Sequence, residues 1–409
     1  MKKNSVVFLI QNPVPLKGAP AQRIRVFCRH LMREGYEVYV LGGQNLGEVL
    51  ASRLGVSLTE KIEAKRVEHA TECPEMNASF YLLLRIPYIS TLINLVLAFF
   101  NSIYLLIKKP RFIIVTVPPS DLVLATYIAA RLIRSRYIID VRDPYEEIQL
   151  YYSSSSKLGY RILKFLRGLN YAIYRRADAV IFVTNGIKDM MRRYGIRGVI
   201  IPNGADFEVF KPAISAFPRR DKSELTLVFS GRASRYYNPI TLILALKKLN
   251  EEGIRIKLLL VGTIYRGLSD LIKKLDVEEL VKYLGFLSPN EVVSKVFSIS
   301  DVGVIPRTDD PIFDYAIPAK FYEYIASGLP IFALCRRESD LAKLILSCNV
   351  GWVCEYKDLD CIIRTLKEIY TNRTLIDEKR ENALRIRRYF DRSVHARMLL
   401  RVLKTCHDT

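Results

Sequence analysis

The strongest constraint on the fold of this chain is a regular alternation of short apolar runs with longer helical segments, which occurs twice along its 409 residues. Strands buried on both faces of a parallel sheet read as continuous apolar runs, and helices connect them. Six runs in the first half have this character, at residues 6–10, 37–41, 112–117, 137–140, 179–183 and 199–201. Six more follow, at residues 225–229, 257–261, 281–284, 302–305, 331–333 and 351–353. The pattern predicts an α/β protein with two Rossmann-like, doubly wound parallel sheets.

The segments between these runs set the expected domain organisation. Helices are expected at residues 21–34, 121–133, 155–175, 186–194, 239–251 and 320–327, with another ending near Ile107. Residues 205–223 contain two prolines and several charges, which is typical of a linker. We therefore expect a first domain at residues 1–205 and a second at residues 206–385. Residues 386–409 are expected to form a C-terminal helix that either caps the second domain or packs back on the first.

The chain is basic, with 62 Lys and Arg against 42 Asp and Glu and a formal net charge of +20. Residues 1–205 hold 29 Lys and Arg against 15 Asp and Glu, so most of the excess lies in the first half. There Lys157, Arg161, Lys164 and Arg167 recur at helical spacing with apolar residues between them. This pattern is typical of a basic amphipathic helix that rests on anionic lipid, and an ordinary solvated helix face is the alternative. Because no helix-turn-helix, zinc-finger or aromatic RNA-binding signature accompanies the charge, we expect no nucleic-acid partner.

Two further features bear on location. Residues 86–107 are uncharged and reach the length of a membrane span, but Pro87 and several Ser and Asn interrupt them. A buried or interfacial helix is favoured there, with insertion into the bilayer as the open alternative. No secretory signal opens the chain, and seven Cys without a C-x-x-C pair argue against zinc ribbons and a disulfide framework. We expect a cytoplasmic protein in a reducing compartment, bound peripherally to the inner face of the cell membrane.

The segment with the most chemical content follows the fourth run of the second half. Pro318 suits the start of a short helix and Gly328 its end, so the helix would present its positive N-terminus where parallel strands end. Lys320 and that helix end suit a diphosphate, and Glu323, one turn along, suits ribose hydroxyls. The alternative is a surface ion pair between Lys320 and Glu323. Earlier, Gly231 and Arg232 close a predicted strand, where backbone and guanidinium can approach a phosphate together.

Motifs spread over nearly the whole chain resemble those of the retaining glycosyltransferases of family 4 (glycosyl transferases group 1), which have the GT-B fold. They are GYEV at 35–38, DVRDP at 140–144, ADAVIFVT at 177–184, IPNGAD at 201–206 with FKP at 210–212, GFL at 285–287, and PAKFYEYIASGLP at 318–330. The resemblance implies two domains facing across a cleft, with a UDP- or GDP-sugar bound mainly by the second domain. It implies an acceptor bound mainly by the first, and no resident cofactor or metal.

The resemblance also implies roles for individual residues. Gly18, Arg232, Lys320 and the helix start at Pro318 and Ala319 would contact the donor diphosphate, the backbone of Leu287 the base, and Glu323 the ribose. Arg235 stands where the family usually has a Lys, and Tyr315 stands where it has the first glutamate of its E-x7-E motif. Asp143, Arg232 and Lys320 are the expected catalytic residues, although capping or pairing with Arg142 is an equally ordinary role for Asp143.

The function implied is retaining transfer of a sugar to a lipid-linked or surface-glycan acceptor at the cytoplasmic membrane face. Cationic groups aimed at the leaving diphosphate would lower the barrier without a protein nucleophile. A UDP-amino-sugar 2-epimerase-like isomerase with this fold is one alternative, against which the presence of only four His argues. A non-catalytic partner subunit is the other, and Tyr315 is its only support.

Overall fold

The computed structural model describes residues 4–10, 19–42, 101–153, 157–212 and 224–408. The chain forms two compact units. Unit 1 comprises residues 1–202 together with 395–409, and unit 2 comprises residues 203–394. The chain therefore leaves unit 1 after Pro202 and returns to it at His395.

Unit 1 contains a six-stranded parallel sheet with the order β2-β1-β3-β4-β5-β6. Its strands are β1 (Ser5–Ile10), β2 (Glu37–Gly42), β3 (Phe112–Val117), β4 (Arg136–Val141), β5 (Ala179–Phe182) and β6 (Val199–Ile200). Every residue of β1 and β3 is buried, which is why these strands read as continuous apolar runs. All six strands expected in the first half are present.

Five helices of unit 1 follow its strands in the order expected of a doubly wound sheet. They are α1 (Ala19–Arg33), α2 (Val123–Leu132), α3 (Tyr145–Tyr152), α4 (Lys157–Tyr174) and α5 (Asn185–Arg192). Of the apolar stretch 86–107, only residues 101–107 lie within the described residues, in a helical segment that ends at residue 108. Among the helices that the structure describes, none combines the length and the apolar character that a bilayer crossing requires.

Unit 2 contains a second parallel sheet with the order β12-β11-β10-β7-β8-β9. Its strands are β7 (Leu225–Arg232), β8 (Ile256–Thr263), β9 (Val281–Tyr283), β10 (Val302–Pro306), β11 (Ile331–Leu334) and β12 (Gly351–Cys354). The helices are α6 (Ile240–Glu251), α7 (Arg266–Lys274), α8 (Pro289–Glu291), α9 (Ala319–Ala326), α10 (Asp340–Ser347), α11 (Leu359–Thr371) and α12 (Thr374–Ile386). The two parallel sheets confirm the predicted α/β class.

The C-terminal segment divides between the units. α12 lies in unit 2, where Ala383 is fully buried. After a short 3-10 turn at Arg387–Phe390, α13 (Arg392–Asp408) buries Leu399, Leu403 and Cys406 in the core that contains β1 and α1. Because α12 ends at Ile386, residues 386–409 hold the 3-10 turn and one long helix, α13, whose buried apolar side chains pack in the core of unit 1.

One pair of cysteines forms a disulfide, which the argument against a disulfide framework did not predict. Cys354, at the end of β12, is bonded to Cys361 in the first turn of α11, with their Cα atoms 5.9 Å apart. A separation of seven residues matches no recognised cysteine motif, so the pairing depends on how the chain folds back from the strand into the helix. Among the described residues, Cys28, Cys335 and Cys406 are buried free thiols and Cys348 is partly exposed.

Candidate donor site

The order in which strands are added to the sheet of unit 2 reverses between β7 and β10, and the candidate site lies at this point. From β7 the chain builds outward through β8 and β9, and β10 then returns to the other side of β7. Ligands of open α/β sheets bind outside the carboxyl ends of the strands at such a switch point. The residues that end the two strands are Arg232 on β7 and Pro306 on β10, with Arg307 following directly.

The loops after β7 and β10 are tied together by backbone hydrogen bonds. The N–H of Asn238 donates to the carbonyl of Pro306 (2.8 Å), and the N–H of Thr308 donates to that of Tyr236 (3.1 Å). Tyr237 and Arg307 also form an antiparallel bridge. This pairing fixes the position of Tyr237 at the switch point, where its ring faces the amine described next.

Lys320, on the first turn of α9, places a buried amine at this position. Its Nζ lies 3.9 Å from the centroid of the Tyr237 ring and 4.3 Å from that of Phe229, and the side chain is buried. A Cβ on Gly231 would lie 3.4 Å from Nζ, so the backbone at the end of β7 passes close to the amine. Within the described part of the chain, no hydrogen bond or ion pair engages this Nζ. Two aromatic faces stabilise a cation without neutralising it, so the amine is available to an anionic ligand.

Burial governs the ionisation of Lys320. Desolvation lowers the pKa of the amine from 10.5 to about 7; Glu323 opposes the decrease and Arg307 adds to it. Burial also raises the pKa of Glu323, against the effects of Arg392 and Lys320. The two groups therefore influence each other, as their spacing on α9 predicts. The structure gives no ion pair between them within 4.0 Å in the part of the chain it describes.

The N-terminus of α9 contributes further hydrogen-bond donors. Pro318 occupies the N-cap position with extended backbone (φ −69°, ψ 151°), and its side chain makes no capping hydrogen bond. The N–H of Phe321 donates to the carbonyl of Pro318 at 3.0 Å. The N–H groups of the first turn that have no partner within the helix are therefore those of Ala319 and Lys320. These donors, the helix dipole and the Lys320 amine belong to one turn of α9, which suits a phosphate group.

Arg307 is the second buried cation at the switch point. Its guanidinium lies 5.3 Å from the Phe313 ring and 6.0 Å from the Tyr237 ring, and it donates to the carbonyl of Ala316. The residue is 4% exposed, and its Nε has no hydrogen-bond partner among the described residues. Arg307 thus bonds across residues 308–317, the segment that connects β10 to the start of α9 at Pro318.

The turn after β9 closes another edge of the site. The N–H of Gly262 donates to the carbonyl of Gly285 (2.7 Å), and a Cβ on Gly262 would lie 2.2 Å from the carbonyl oxygen of Gly231. Glycine at position 262 therefore lets the ends of β7 and β8 approach each other, and the hydrogen bond from Gly262 holds the turn at residues 285–287 beside them. Leu287 packs partly against the core, and Phe286 beside it is 83% exposed.

Two family models cover consecutive parts of the chain. The model described as "Glycosyltransferase Family 4" matches residues 21–209, and "Glycosyl transferases group 1" matches residues 210–386. The chain belongs to the family 4, group 1 glycosyltransferases. The family predicted from the motifs is thereby confirmed.

Individual relatives are distant. The probable glycosyltransferase WbjE of Pseudomonas aeruginosa is 23% identical over 227 residues, which are 52% of this chain and 54% of that protein. The aligned region thus spans about half of the curated relative. Among solved structures, sucrose-phosphate synthase from Thermosynechococcus elongatus superposes with a TM-score of 0.69 at 15% identity, covering 99% of this chain and 100% of that one. HepE from Anabaena, in complex with UDP and glucose, gives 0.64 at 16% identity, covering 98% and 100%. These likenesses confirm the GT-B fold.

The structure does not place all the expected donor residues of this glycosyltransferase together. Gly231, Arg232, Lys320, Glu323 and the start of α9 are all contributed by the β7–β10 end of the sheet or by α9. Arg235 is exposed, and its guanidinium stacks on the Tyr236 ring at 4.6 Å and donates to the Tyr236 hydroxyl. Gly18 lies outside the described residues. Beside Tyr315, the Asp314 carboxylate accepts from Arg336 at 2.9 Å, and burial raises its pKa.

Asp143 lies in unit 1, between β4 and α3. Its charge acts on Arg142, whose pKa burial lowers while Asp140 and Asp143 oppose that decrease. Nearby, Arg23 binds Asp140 at 3.1 Å in a buried ion pair and donates to the carbonyl of Ile201 at 2.9 Å. This pair stabilises the carboxyl end of β4 and thereby the start of the segment that carries Asp143. The catalytic role of Asp143 stays a prediction.

Two residues of the site were missed by the sequence reasoning. Arg307 directly follows a predicted strand, so its position offered a signal that was not used. Arg392 influences Glu323 from the start of α13, 69 positions further along the chain, and no sequence pattern relates the two. Within the described residues, no group of three or more His, Cys, Asp or Glu is arranged to hold a metal ion.

Proposed function

We propose that the protein transfers a sugar, with retention of configuration, from a UDP- or GDP-sugar to a lipid-linked or surface-glycan acceptor at the cytoplasmic face of the cell membrane. The observation that carries the donor part is the Lys320 amine, held between Phe229 and Tyr237 and close to Gly231. A buried cation needs an anionic partner, and a diphosphate supplies one.

Each donor-site group has a role in this proposal. Lys320, Arg232 and the free N–H groups of α9 bind the diphosphate and stabilise the charge that develops on it as the glycosidic bond breaks. Glu323 accepts hydrogen bonds from the ribose hydroxyls, and the turn at Leu287 presents its backbone to the base. Arg307 holds residues 308–317 so that α9 begins at the right position. Asp143 acts on the acceptor side.

The acceptor part is supported by charge and by one structural neighbour. The excess of Lys and Arg in residues 1–205 favours an anionic surface as a partner of unit 1. A solved structure named as a lipopolysaccharide outer core galactosyltransferase, WaaB, superposes with a TM-score of 0.62 at 14% identity over 98% of this chain and 99% of that one. A surface-glycan acceptor is the corresponding proposal here.

Nucleotide binding tests the donor site directly. UDP and GDP are titrated into the protein by calorimetry, and the nucleotide that binds is then titrated into the variants Arg232→Ala and Glu323→Ala. Each variant is expected to lose at least about tenfold in affinity, because each removes a hydrogen bond to a charged group. Matched controls are Arg255→Ala and Glu279→Ala, which lie just before β8 and β9 at the opposite end of the sheet and are expected to bind like the wild type. Unchanged affinity in both site variants would refute the donor-site assignment.

Labelled UDP-glucose, GDP-mannose and a UDP-amino sugar distinguish the possible reactions. Release of free sugar or its transfer to a membrane extract supports the proposal, and the anomeric configuration of the product tests retention. Recovery of a donor whose sugar has been epimerised would indicate an isomerase. Tight nucleotide binding with no turnover of any donor would indicate a non-catalytic partner.

A further inference from the structure

Within the described residues, helix α4 of unit 1 is buried only towards its C-terminal end. Its buried residues all lie in the last five positions, where Asn170 donates to Glu146 (3.2 Å) and the Tyr174 hydroxyl donates to the same carboxylate (2.7 Å). Arg167 and Tyr171 contact Glu147 at 3.0 Å in both cases. These contacts fix the C-terminal part of α4 on α3. Residues 157–166, ten of the eighteen in the helix, include no buried residue.

Residues 157–166 carry an exposed apolar stripe. Leu158, Ile162, Phe165 and Leu166 are spaced by four, three and one residues, so they lie along one side of the helix. They are 69%, 51%, 72% and 42% exposed. Single exposed apolar residues need no explanation, but a continuous stripe on a helix marks an interaction surface. Tyr151 and Tyr152, at the end of α3, are exposed as well.

A basic row borders the apolar stripe. Lys157, Arg161 and Lys164 are spaced by four and three residues and are exposed. In the described part of the chain these three side chains form no ion pair, whereas Arg167 is paired with Glu147. Residues 148–177 contain no Asp or Glu. We call the apolar stripe and the basic row together the α4 surface.

The charge of the α4 surface decides between possible occupants. A second copy of the chain would bring two cationic faces together in a symmetric dimer, which like-charge repulsion opposes. An anionic bilayer complements both parts, because phosphate groups attract the Lys and Arg side chains while the apolar stripe enters the boundary of the acyl chains. Tyrosines near the surface suit the level of the lipid headgroups.

We propose that the α4 surface docks the protein on anionic phospholipid. The inference rests on the proposed function in one respect, since the purpose of docking is to bring unit 1 to a lipid-linked or surface-glycan acceptor. The lipid contact itself requires no nucleotide and can be measured without a donor.

Vesicle binding tests the inference on the full chain. The probes are vesicles of phosphatidylcholine alone, and of phosphatidylcholine and phosphatidylglycerol at about three to one. We expect at least about tenfold tighter partitioning onto the anionic vesicles, weakened by added salt as Debye screening requires. Equal partitioning onto both vesicles, or onto neither, would overturn the inference.

Two variants separate charge from apolar insertion. The triple variant Lys157→Gln, Arg161→Gln, Lys164→Gln is expected to lose roughly 100-fold in partitioning onto anionic vesicles, at about 1 kcal/mol for each charge removed. The double variant Leu158→Ser, Phe165→Ser is expected to lose at least about tenfold, because it removes two side chains that enter the acyl boundary. Wild-type partitioning by both variants would overturn the inference.

Matched controls lie in unit 2. Lys248→Gln, Lys273→Gln, Lys274→Gln removes the same charge from exposed positions, and Ile299→Ser, Leu346→Ser removes two exposed apolar side chains. Both controls are expected to partition within about threefold of the wild type. If the control with the same charge change lost as much binding as the α4 triple variant, net charge alone would explain the effect and the α4 surface would be refuted.

Further measurements distinguish a loss of lipid binding from misfolding, from altered self-association and from damage to the donor site. Circular dichroism and nucleotide affinity of the α4 variants are expected to match the wild type, since the changed residues are exposed and lie in unit 1. Light scattering is expected to give the same mass for the wild type and the double variant. A wild-type dimer that the double variant abolishes would make the surface a self-association face and overturn the proposal. Normal lipid binding without nucleotide affinity would refute the proposed function alone.

Discussion

At the scale of single residues, Lys320 is the group on which the donor site depends most. Its amine is buried between two aromatic rings, and burial lowers its pKa to about 7. Because an unfolded lysine has a pKa of 10.5, the unfolded chain binds more protons than the folded one between about pH 7 and 10.5. This group therefore makes the free energy of unfolding increase with pH across that window. An anionic ligand has the opposite preference, since it binds the protonated amine.

Nucleotide affinity should consequently decrease as the amine loses its proton. Between about pH 7.5 and 8.5 the wild-type affinity is expected to fall by up to about tenfold. Lys320→Met should bind nucleotide weakly and show no such decrease. Calorimetric titrations of UDP or GDP at several pH values measure the effect, and this range avoids protonation of the terminal phosphate. Equal pH dependence in the wild type and the variant would exclude Lys320 as the titrating group.

Gly231 gives a second prediction, for which the chain contains a matched control. Its φ of +124° is unfavourable for any residue with a side chain, and an added Cβ would lie 3.4 Å from the Lys320 amine. Gly231→Ala is expected to destabilise unit 2 by about 1–2 kcal/mol and to weaken nucleotide binding. Gly253 also has a positive φ, at +83°, but a Cβ there would meet nothing within 4 Å. The control Gly253→Ala should lose stability in urea unfolding while keeping its nucleotide affinity; a parallel loss of affinity would show that strain alone is responsible.

At the scale of elements, the strands could be predicted from the sequence because burial on both faces produces continuous apolar runs. The helix bounds were also close, as for α9, where Pro318 and Gly328 mark the limits. Helix α3 was missed, since the segment after DVRDP has no clear apolar period. The disulfide between Cys354 and Cys361 and the influence of Arg392 on Glu323 depend on tertiary folding, which no local pattern contains.

Arg307, at the start of the segment between β10 and α9, influences the ionisation of Lys320. Arg307 lowers the pKa of that amine and also binds the carbonyl of Ala316. Arg307→Met keeps an apolar stem against Phe313 but removes the charge, so the pKa of Lys320 should increase. The pH at which nucleotide affinity falls should then move upward, which the same titrations measure. A midpoint that stays in place or moves downward would contradict the electrostatic role of Arg307.

At the scale of the whole molecule, each unit has its own core, and one core is completed by a helix from the end of the chain. Leu403 of α13 is fully buried with β1 and α1 in unit 1, and Leu366 of α11 is fully buried in unit 2. Separate cores predict that the two units respond independently to core substitutions and to ligands.

Leu403→Ala and Leu366→Ala test this independence. Each is expected to cost about 2–5 kcal/mol, and each should lower a different transition in calorimetric unfolding. Saturating nucleotide should raise the transition that Leu366→Ala lowers and leave the other in place. A single transition lowered equally by both substitutions would show that the cores unfold together.

The return of the chain to unit 1 has a consequence for biosynthesis. Ala205 and the residues around Asp391 are held side by side, because the N–H of Ala205 donates to the carbonyl of Phe390 (3.0 Å) and that of Arg392 donates to Ala205 (3.1 Å). The two ends of unit 2 therefore lie side by side, and α13, which belongs to the core of unit 1, is translated after unit 2. On the ribosome unit 2 can therefore fold before unit 1 is complete. The apolar face of unit 1 that α13 covers stays exposed until α13 emerges from the exit tunnel.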